Sequence, residues 1–272
     1  MHLSEINIYP VKSLKGIGLR EAVIEDRGLL SDRRWMLVDR NNRFLTQREF
    51  PVMATVSIHL DGDKFSARAG DNKIEVPFEP GSGEFQTTQI WKSEVVGEFY
   101  SSEIDEWFSR ALDTNCRLVR MPEASKRAVN PDYAVRGSED IVSFADGYPF
   151  MLIGQASLDD LNARLPEPLP MNRFRPNFVV EGSDAFAEDN WQKIRIAETI
   201  FHIVKPCERC VIPTIDQTTG VKTGKEPTKT LSTYRLKDGN VLFGQNLIAE
   251  QAGGTVRVGD AVEILELKNG QV

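Results

Sequence analysis

Three cysteines in 272 residues do not make a disulfide framework. Histidine is as scarce: only His2, His59 and His202 are present. No second pair of ligands stands at zinc-finger spacing, so a four-ligand structural zinc site cannot be completed. No apolar run approaches the roughly 18 residues needed to span a bilayer. The opening Met1-His2-Leu3-Ser4-Glu5-Ile6 lacks the basic start and apolar stretch of a signal peptide. A cytoplasmic protein is the expectation. Positive charge is also in deficit, since 33 Lys and Arg face 40 Asp and Glu for a net −7. That argues against a non-specific nucleic-acid surface, which has to be basic. Any cluster of arginines is therefore to be read locally, as a site for a small anion.

Hydrophobic residues make up 40% of the chain, enough for a core in one large domain or two modest ones. The first hundred residues read as a β-meander. Strand-like runs at 6–11, 19–24, 34–38, 44–47, 56–60, 64–67, 73–76 and 89–96 are separated by turn residues such as Asp61-Gly62-Asp63. A helix is predicted after Ser101 or Ser102, with Ile104, Trp107, Phe108, Ala111 and Leu112 at helical spacing. A second helix spans 156–165 and is stopped by Pro166, Pro168 and Pro170. Between the helices, 121–140 is polar and reads as a long surface loop, which puts the domain boundary near 115–130. Strands return at 178–180, 193–196, 199–204, 211–215 and 256–265, and 216–230 reads as a mobile loop. Many short strands and few helices predict a mainly β, α+β protein rich in β-barrel.

Chemistry is offered by the Cys-x-x-Cys of Val204-Lys205-Pro206-Cys207-Glu208-Arg209-Cys210, on a predicted loop between two strands. A redox pair of the thioredoxin type normally opens a helix, and none is predicted here. Cys210 is expected to open the following strand, with Cys207 further out on the loop. A single thiolate bound to a soft metal carried by a cofactor stays open beside the plainer reading of a small buried hydrophobe. Four polar clusters accompany it. In Tyr9-Pro10-Val11-Lys12-Ser13 an ammonium and a hydroxyl suit a phosphate, or form a solvated strand end. Asp32-Arg33-Arg34-Trp35 puts one arginine toward the core, where it needs an anion or a carboxylate. In Asn172-Arg173-Phe174-Arg175-Pro176-Asn177, alternation would place Arg173, Arg175 and Asn177 on one side, as an anion site or a charged edge strand. Ser143 to Phe150, through Asp146-Gly147-Tyr148, is a tight turn whose backbone could face a ligand or could be ordinary. His202 alternates with Phe201 and Ile203 and reads as a satisfied or surface histidine rather than a ligand.

Taken in order, these clusters resemble the MOSC superfamily with its N-terminal β-barrel extension, and especially the bacterial relatives of the mitochondrial amidoxime-reducing component. Lys225-Glu226-Pro227 and Leu242-Phe243-Gly244-Gln245-Asn246 add to the resemblance, which covers nearly the whole chain. It implies an N-terminal MOSC β-barrel domain over 1–120 packed on a MOSC-type β-barrel domain over 121–272. It implies a molybdenum cofactor, molybdopterin, whose metal takes Cys210 as its protein ligand and catalytic residue, with Cys207 non-ligating. Lys12, Ser13, Arg33, Arg175 and Asn177 match positions that hold the pterin and its phosphate. Asp146, Gly147 and Tyr148 lie where the family contacts the cofactor, and Asn246 stands where the mitochondrial branch has tyrosine. The implied activity is two-electron reduction of the N–O bond in amidoximes, hydroxylamines and N-hydroxylated nucleobases. No membrane anchor and no iron–sulfur cysteine cluster are found in the sequence. An external electron donor, ferredoxin, flavodoxin or a flavoprotein reductase, is expected. The alternatives are a MOSC sulfur carrier that works through a cysteine persulfide and a non-enzymatic binding module.

Overall fold

The computed structural model describes residues 1–268, so the last four residues of the expected second domain lie outside the described part. Among the described residues the largest sheet has nine strands. Its order runs Val262–Leu267, Trp191–Ile196, Thr199–Glu208, Asn240–Ala249, Phe150–Gly154, Phe178–Glu181, His2–Ile8 and Ile17–Leu19, with Leu236–Lys237 attached to Asn240–Ala249. Its neighbours are antiparallel except Phe150–Gly154 and Phe178–Glu181, which run parallel. Parallel strands need a crossover, and the helix Gln155–Arg164 lies between them in sequence. Phe150, Phe178 and Phe201 form the aromatic centre of this core, with ring centroids 5.3–5.7 Å apart.

A second, four-stranded sheet runs Trp35–Val38, Arg117–Arg120, Ser93–Phe99, Phe85–Ile90, and the meander Ser57–Asp61, Lys64–Ala69, Asn72–Pro77 forms a third. The helix Ser102–Leu112 buries Ile104, Trp107, Phe108 and Leu112, its i, i+3, i+4 stripe, into the core these share with Phe65 and Leu118. The α+β class expected from the sequence is the one observed. No helix among the described residues is long and apolar enough to cross a membrane.

The two halves of the chain share sheets. His2–Ile8 pairs with Phe178–Glu181, and Thr255–Arg257 pairs with Glu21–Glu25. The segment after Ile8 therefore leaves the large sheet carrying Tyr9, Lys12 and Ser13, and Lys12 N then bonds Trp35 O at 2.8 Å. This crossing puts the polar clusters of the first half beside those of the second.

Several expected elements differ in detail. The run 89–96 is two strands, because Trp91 adopts a left-handed φ of 54° and turns the chain. Residues 211–215 form a short 3-10 turn over Ile212–Thr214 instead of a strand. The segment 216–230 is fastened: Asp216 accepts from Thr218 N and Thr219 N, each at 2.9 Å, and Thr228–Ser232 is helical. Its other ties run to Arg173 and Arg175.

Candidate functional site

Cys207 lies in the last turn-ward residues of the strand Thr199–Glu208, not on the loop beyond it. The ladder to Asn240–Ala249 shifts register between Ile203 and Lys205 and again between Pro206 and Glu208. Such bulges re-aim side chains at strand ends. The Cys207 thiol packs against an apolar cluster that includes Phe174 and Phe243, and burial pushes its pKa up against the pull of Arg209. Cys210 follows the strand and is exposed. Its Sγ receives Ile212 N–H at 3.5 Å and Arg48 Nη1 at 3.6 Å. The expected order is thus reversed: the first thiol is the sheltered one, and the second stands in the open with two N–H donors.

Cys210 faces a cavity of about 140 Å³ between the halves. Its wall includes Lys12, Ser13 and Arg33 from the first half, and Asp146, Gly147, Tyr148, Arg175, Asn177 and Asn246 from the second. All ten residues named from the sequence border this one space. They do so in different ways. Arg33 Nη1 donates to the buried Asp32 Oδ2 at 2.6 Å and to Asn177 Oδ1 at 3.3 Å. Asp32 also accepts from Asn177 Nδ2 at 3.2 Å and from Tyr9 N at 2.8 Å. The Arg33 and Arg175 guanidiniums each lie 4.2 Å from the Tyr9 ring centroid, a distance for cation–π attraction. Tyr9 is itself buried, and burial pushes its phenol up to about 12 although both arginines pull it down. It donates to Pro176 O at 3.1 Å. Arg175 donates to Leu14 O at 2.8 Å and Gln217 Oε1 at 3.2 Å, and burial lowers its guanidinium to about 10. At neutral pH it is a cation.

Lys12 Nζ is 2.5 Å from Asp146 Oδ1. Burial of the lysine outweighs the carboxylate's pull and brings it down to about 8. For Asp146, burial acts upward, but Lys12 and the Trp91 indole N–H at 3.1 Å act downward more strongly, so the carboxyl stays well below its usual range. Its side chain is 62% exposed, and the two close donors set the direction. Tyr148 meets Tyr133 edge-on at 6.1 Å. Asn246 Nδ2 reaches Pro206 O at 3.4 Å. Arg173, expected on the same side as Arg175, turns its guanidinium to Asp216 Oδ2 at 2.8 Å. The reason is local: Met171–Arg173 is a 3-10 turn and Arg175 has φ 57°, so the strand alternation assumed from sequence does not exist.

Four residues at this site, Arg48, Trp91, Arg127 and Arg209, escaped the sequence reading. Arg48 touches the Cys210 sulfur and lies 4.4 Å from the Trp91 ring centroid. Arg209 is pinned to Phe243 O at 2.7 Å and Phe174 O at 2.9 Å. The buried Arg127 donates to Ser143 O at 2.9 Å, Ala145 O at 2.6 Å and Asp146 O at 2.7 Å. It thereby holds the turn that presents Asp146 and Tyr148. Only Arg209 carried a signal, its place inside the Cys-x-x-Cys; the other three lie in segments with no motif.

Charge bookkeeping gives the cleft its character. Lys12, Arg33 and Arg173 have carboxylate partners, but among the described residues Arg48, Arg175 and Arg209 have none. Three guanidiniums beside one cavity without a matching carboxylate, in a chain of net charge −7, make a receptor for an anion. Among the described residues no three His, Cys, Asp or Glu side chains converge. A metal held at Cys210 would have to bring its other ligands with it.

Residues 139–263 match the MOSC domain and residues 1–115 the MOSC N-terminal beta barrel domain. The chain is 32% identical to Mitochondrial amidoxime-reducing component 1 of Mus musculus, over 97% of this chain and 82% of that protein. It is 34% identical to Mitochondrial amidoxime reducing component 2 of Rattus norvegicus, over 96% and 82%. It is also 31% identical to Molybdenum cofactor sulfurase of Oryza sativa subsp. japonica, over 90% of this chain but 32% of that much longer protein.

Proposed function

The chain belongs to the MOSC family in its two-part form, and on that premise we propose that it is a molybdenum-cofactor-dependent reductase of N-hydroxylated compounds. The observation that carries this reading is the meeting of an exposed thiol, Cys210, with three guanidiniums that lack carboxylate partners. That donor set fits a cofactor with a soft metal at one end and a phosphate at the other. Cys210 Sγ would ligate the metal. Lys12, Ser13, Arg33, Arg175 and Asn177 would hold the pterin and phosphate, with the Asp146-Gly147-Tyr148 turn and Asn246 alongside. A side chain at Gly147 would meet nothing within 4 Å, so its backbone stands open toward a ligand.

When bound, the cofactor would supply the two-electron chemistry that cleaves an N–O bond, which takes two electrons and two protons and releases an amine or amidine and water. The chain's own part is to hold and orient. Lys12 Nζ, at about 8, keeps its proton at neutral pH and stays a cation toward a phosphate. Arg127 fixes the turn, and the Asp32–Arg33–Asn177 network fixes the opposite wall. Cys207, with its raised pKa and apolar neighbours, stays a thiol and leaves ligation to Cys210. Electrons would come from an external donor.

Elemental analysis of anaerobically purified protein tests the reading. Molybdenum near one per chain, retained in Cys207→Ala, lost in Cys210→Ala, and coupled to benzamidoxime reduction with a chemical reductant, is the expected result. Likeness to the sulfurase favours one other reading, sulfur transfer through Cys210. A persulfide on Cys210 in protein free of molybdenum would establish that instead.

A further inference from the structure

Beside Cys210 the cleft ends in a lip formed by Arg48 and Trp91. Arg48 comes from the segment after Phe44, and Trp91 from the turn between Phe85–Ile90 and Ser93–Phe99. The Arg48 guanidinium lies over the indole, 4.4 Å from its centroid, while its Nη1 reaches toward Cys210. The indole Nε1 is bonded to Asp146, so the ring cannot swing away from the mouth without losing that bond. Trp91 is nonetheless 44% exposed. Beyond the lip a second cavity of about 440 Å³ opens, and its wall includes Arg43, Phe44, Arg48, Glu49, Gln89 and Trp91. Arg48 is common to both spaces. Phe44 packs against Trp91 at 5.2 Å, so the groove has an aromatic side. Arg43 is paired with Glu49 at 3.6 Å, whereas Arg48 has no carboxylate partner among the described residues.

We propose that this groove is the substrate subsite, and that Trp91 and Arg48 determine specificity by taking a flat aromatic ring attached to the reacting N-hydroxyl group. The inference rests on the reductase reading for the identity of the reacting group. The inner cavity is small, so a cofactor seated there would leave substrate only the mouth. A group on the metal side of the mouth sits by Cys210, and whatever extends toward the first half lies on Arg48 and Trp91. Aromatic rings gain from stacking on indole and guanidinium planes, and an aliphatic chain does not gain that stacking. The unpaired cation adds a preference for neutral or anionic rings over cationic ones.

The test is equilibrium binding of benzamidoxime and acetamidoxime to the protein as purified, by calorimetry without reductant, together with their KM values under turnover. The wild type is expected to favour benzamidoxime by about tenfold or more, and Trp91→Ala to bring the two within about threefold. Trp91→Phe, which keeps a ring but not the N–H to Asp146, is expected to retain most of the preference. Molybdenum content, measured on each variant, is expected to stay at the wild-type level. Equal binding of the two ligands by the wild type, an unchanged ratio in Trp91→Ala, or a Trp91→Phe variant as flat as Trp91→Ala overturns the subsite. So does loss of the ratio in Tyr148→Ala, on the opposite wall, in place of Trp91→Ala. A ring preference that depends on Trp91 in protein without molybdenum or reductase activity removes the reductase and keeps the subsite. Molybdenum and activity with a flat ratio do the reverse.

Discussion

Replacing Arg127 by methionine isolates what the buried guanidinium does. Its three hydrogen bonds, at 2.6–2.9 Å, end on carbonyls of Ser143, Ala145 and Asp146. Hydrogen bonds with one charged partner contribute about 1.5–3 kcal/mol each, so the gross loss is roughly 4–9 kcal/mol. Removing the ion also removes the desolvation cost of keeping it buried, which is several kcal/mol and is visible in the lowering of its guanidinium to about 10. Methionine fills most of the space. The net destabilisation expected is therefore about 2–4 kcal/mol, read as a shift in urea midpoint with unchanged slope. The turn then loses the fork that ties its three carbonyls together, and molybdenum content should fall along with stability, because Asp146 and Tyr148 are presented by that turn. Arg127→Lys keeps the charge but cannot reach three carbonyls in the same fork, so it should recover only part of both losses. A methionine variant within about 0.5 kcal/mol of wild type that still binds full molybdenum would refute the role.

Gly244 has φ 80°, and a Cβ there would lie 2.7 Å from Ile153 Cγ1 and 2.9 Å from Leu152 O; Gly244→Ala is expected to cost about 2–4 kcal/mol in chemical denaturation and to disturb Arg209, 3.1 Å from the same point. Affinity for inorganic phosphate should fall as pH rises through about 8, where Lys12 loses its proton, and Lys12→Arg should flatten that dependence in a calorimetric pH series. The sign for stability is opposite: between about 8 and the ordinary lysine value of 10.5 the unfolded chain holds a proton that the native one has released, so Lys12 makes unfolding harder as pH rises across that window. Alkylation with iodoacetamide should strike Cys210 well before Cys207, and a mass-spectrometric time course giving the reverse order would contradict the observed burial.

The parts of the site legible in the sequence were those where chemistry and position coincide in a short motif. Lys12-Ser13, Asp32-Arg33 and the Cys-x-x-Cys each sit beside a strand of clear period, so their residues could be named before their partners were known. What the sequence concealed has physical causes. Arg48, Trp91 and Arg127 belong to segments that look like ordinary β-meander or surface loop, and the pairing of strands between the two halves helps to bring those segments to the cleft. The break at Trp91 was invisible because turns are signalled by Gly, Asn, Asp and Pro, and here a tryptophan takes the left-handed conformation. Arg173 and Arg175 looked equivalent by alternation; both border the cavity, but with the backbone excursion at Arg175 their guanidiniums take different partners. The short helix Thr228–Ser232 has too few residues to show a period.

The misreadings at Trp91 and Arg175 share one cause. Left-handed backbone is common for Asn and Asp, and Asn42, Asp113 and Asp238 adopt it at turns or a helix end without further need of explanation. Of the seven others that are left-handed, Ser31, Phe186 and Ala197 lie elsewhere, whereas Ser13, Arg33, Trp91 and Arg175 line the cleft or its lip. Each such residue costs about 1–3 kcal/mol and persists only when its surroundings over-determine it. They do here. Arg33 N bonds Tyr9 O at 3.0 Å while its carbonyl accepts Phe144 N at 2.9 Å, which locks it between the two walls. Ser13 O accepts Gln47 Nε2 at 2.7 Å, and Gln47 is in turn paired with Gln217, which holds Arg175. The buried Gln47–Gln217 pair thus couples one strained residue to the other across the halves. A sequence relieved of these excursions would be easier to fold and would lose the arrangement that aims Arg33, Arg175 and Trp91 at one space. At the cleft, four such residues hold the positions from which the cations converge.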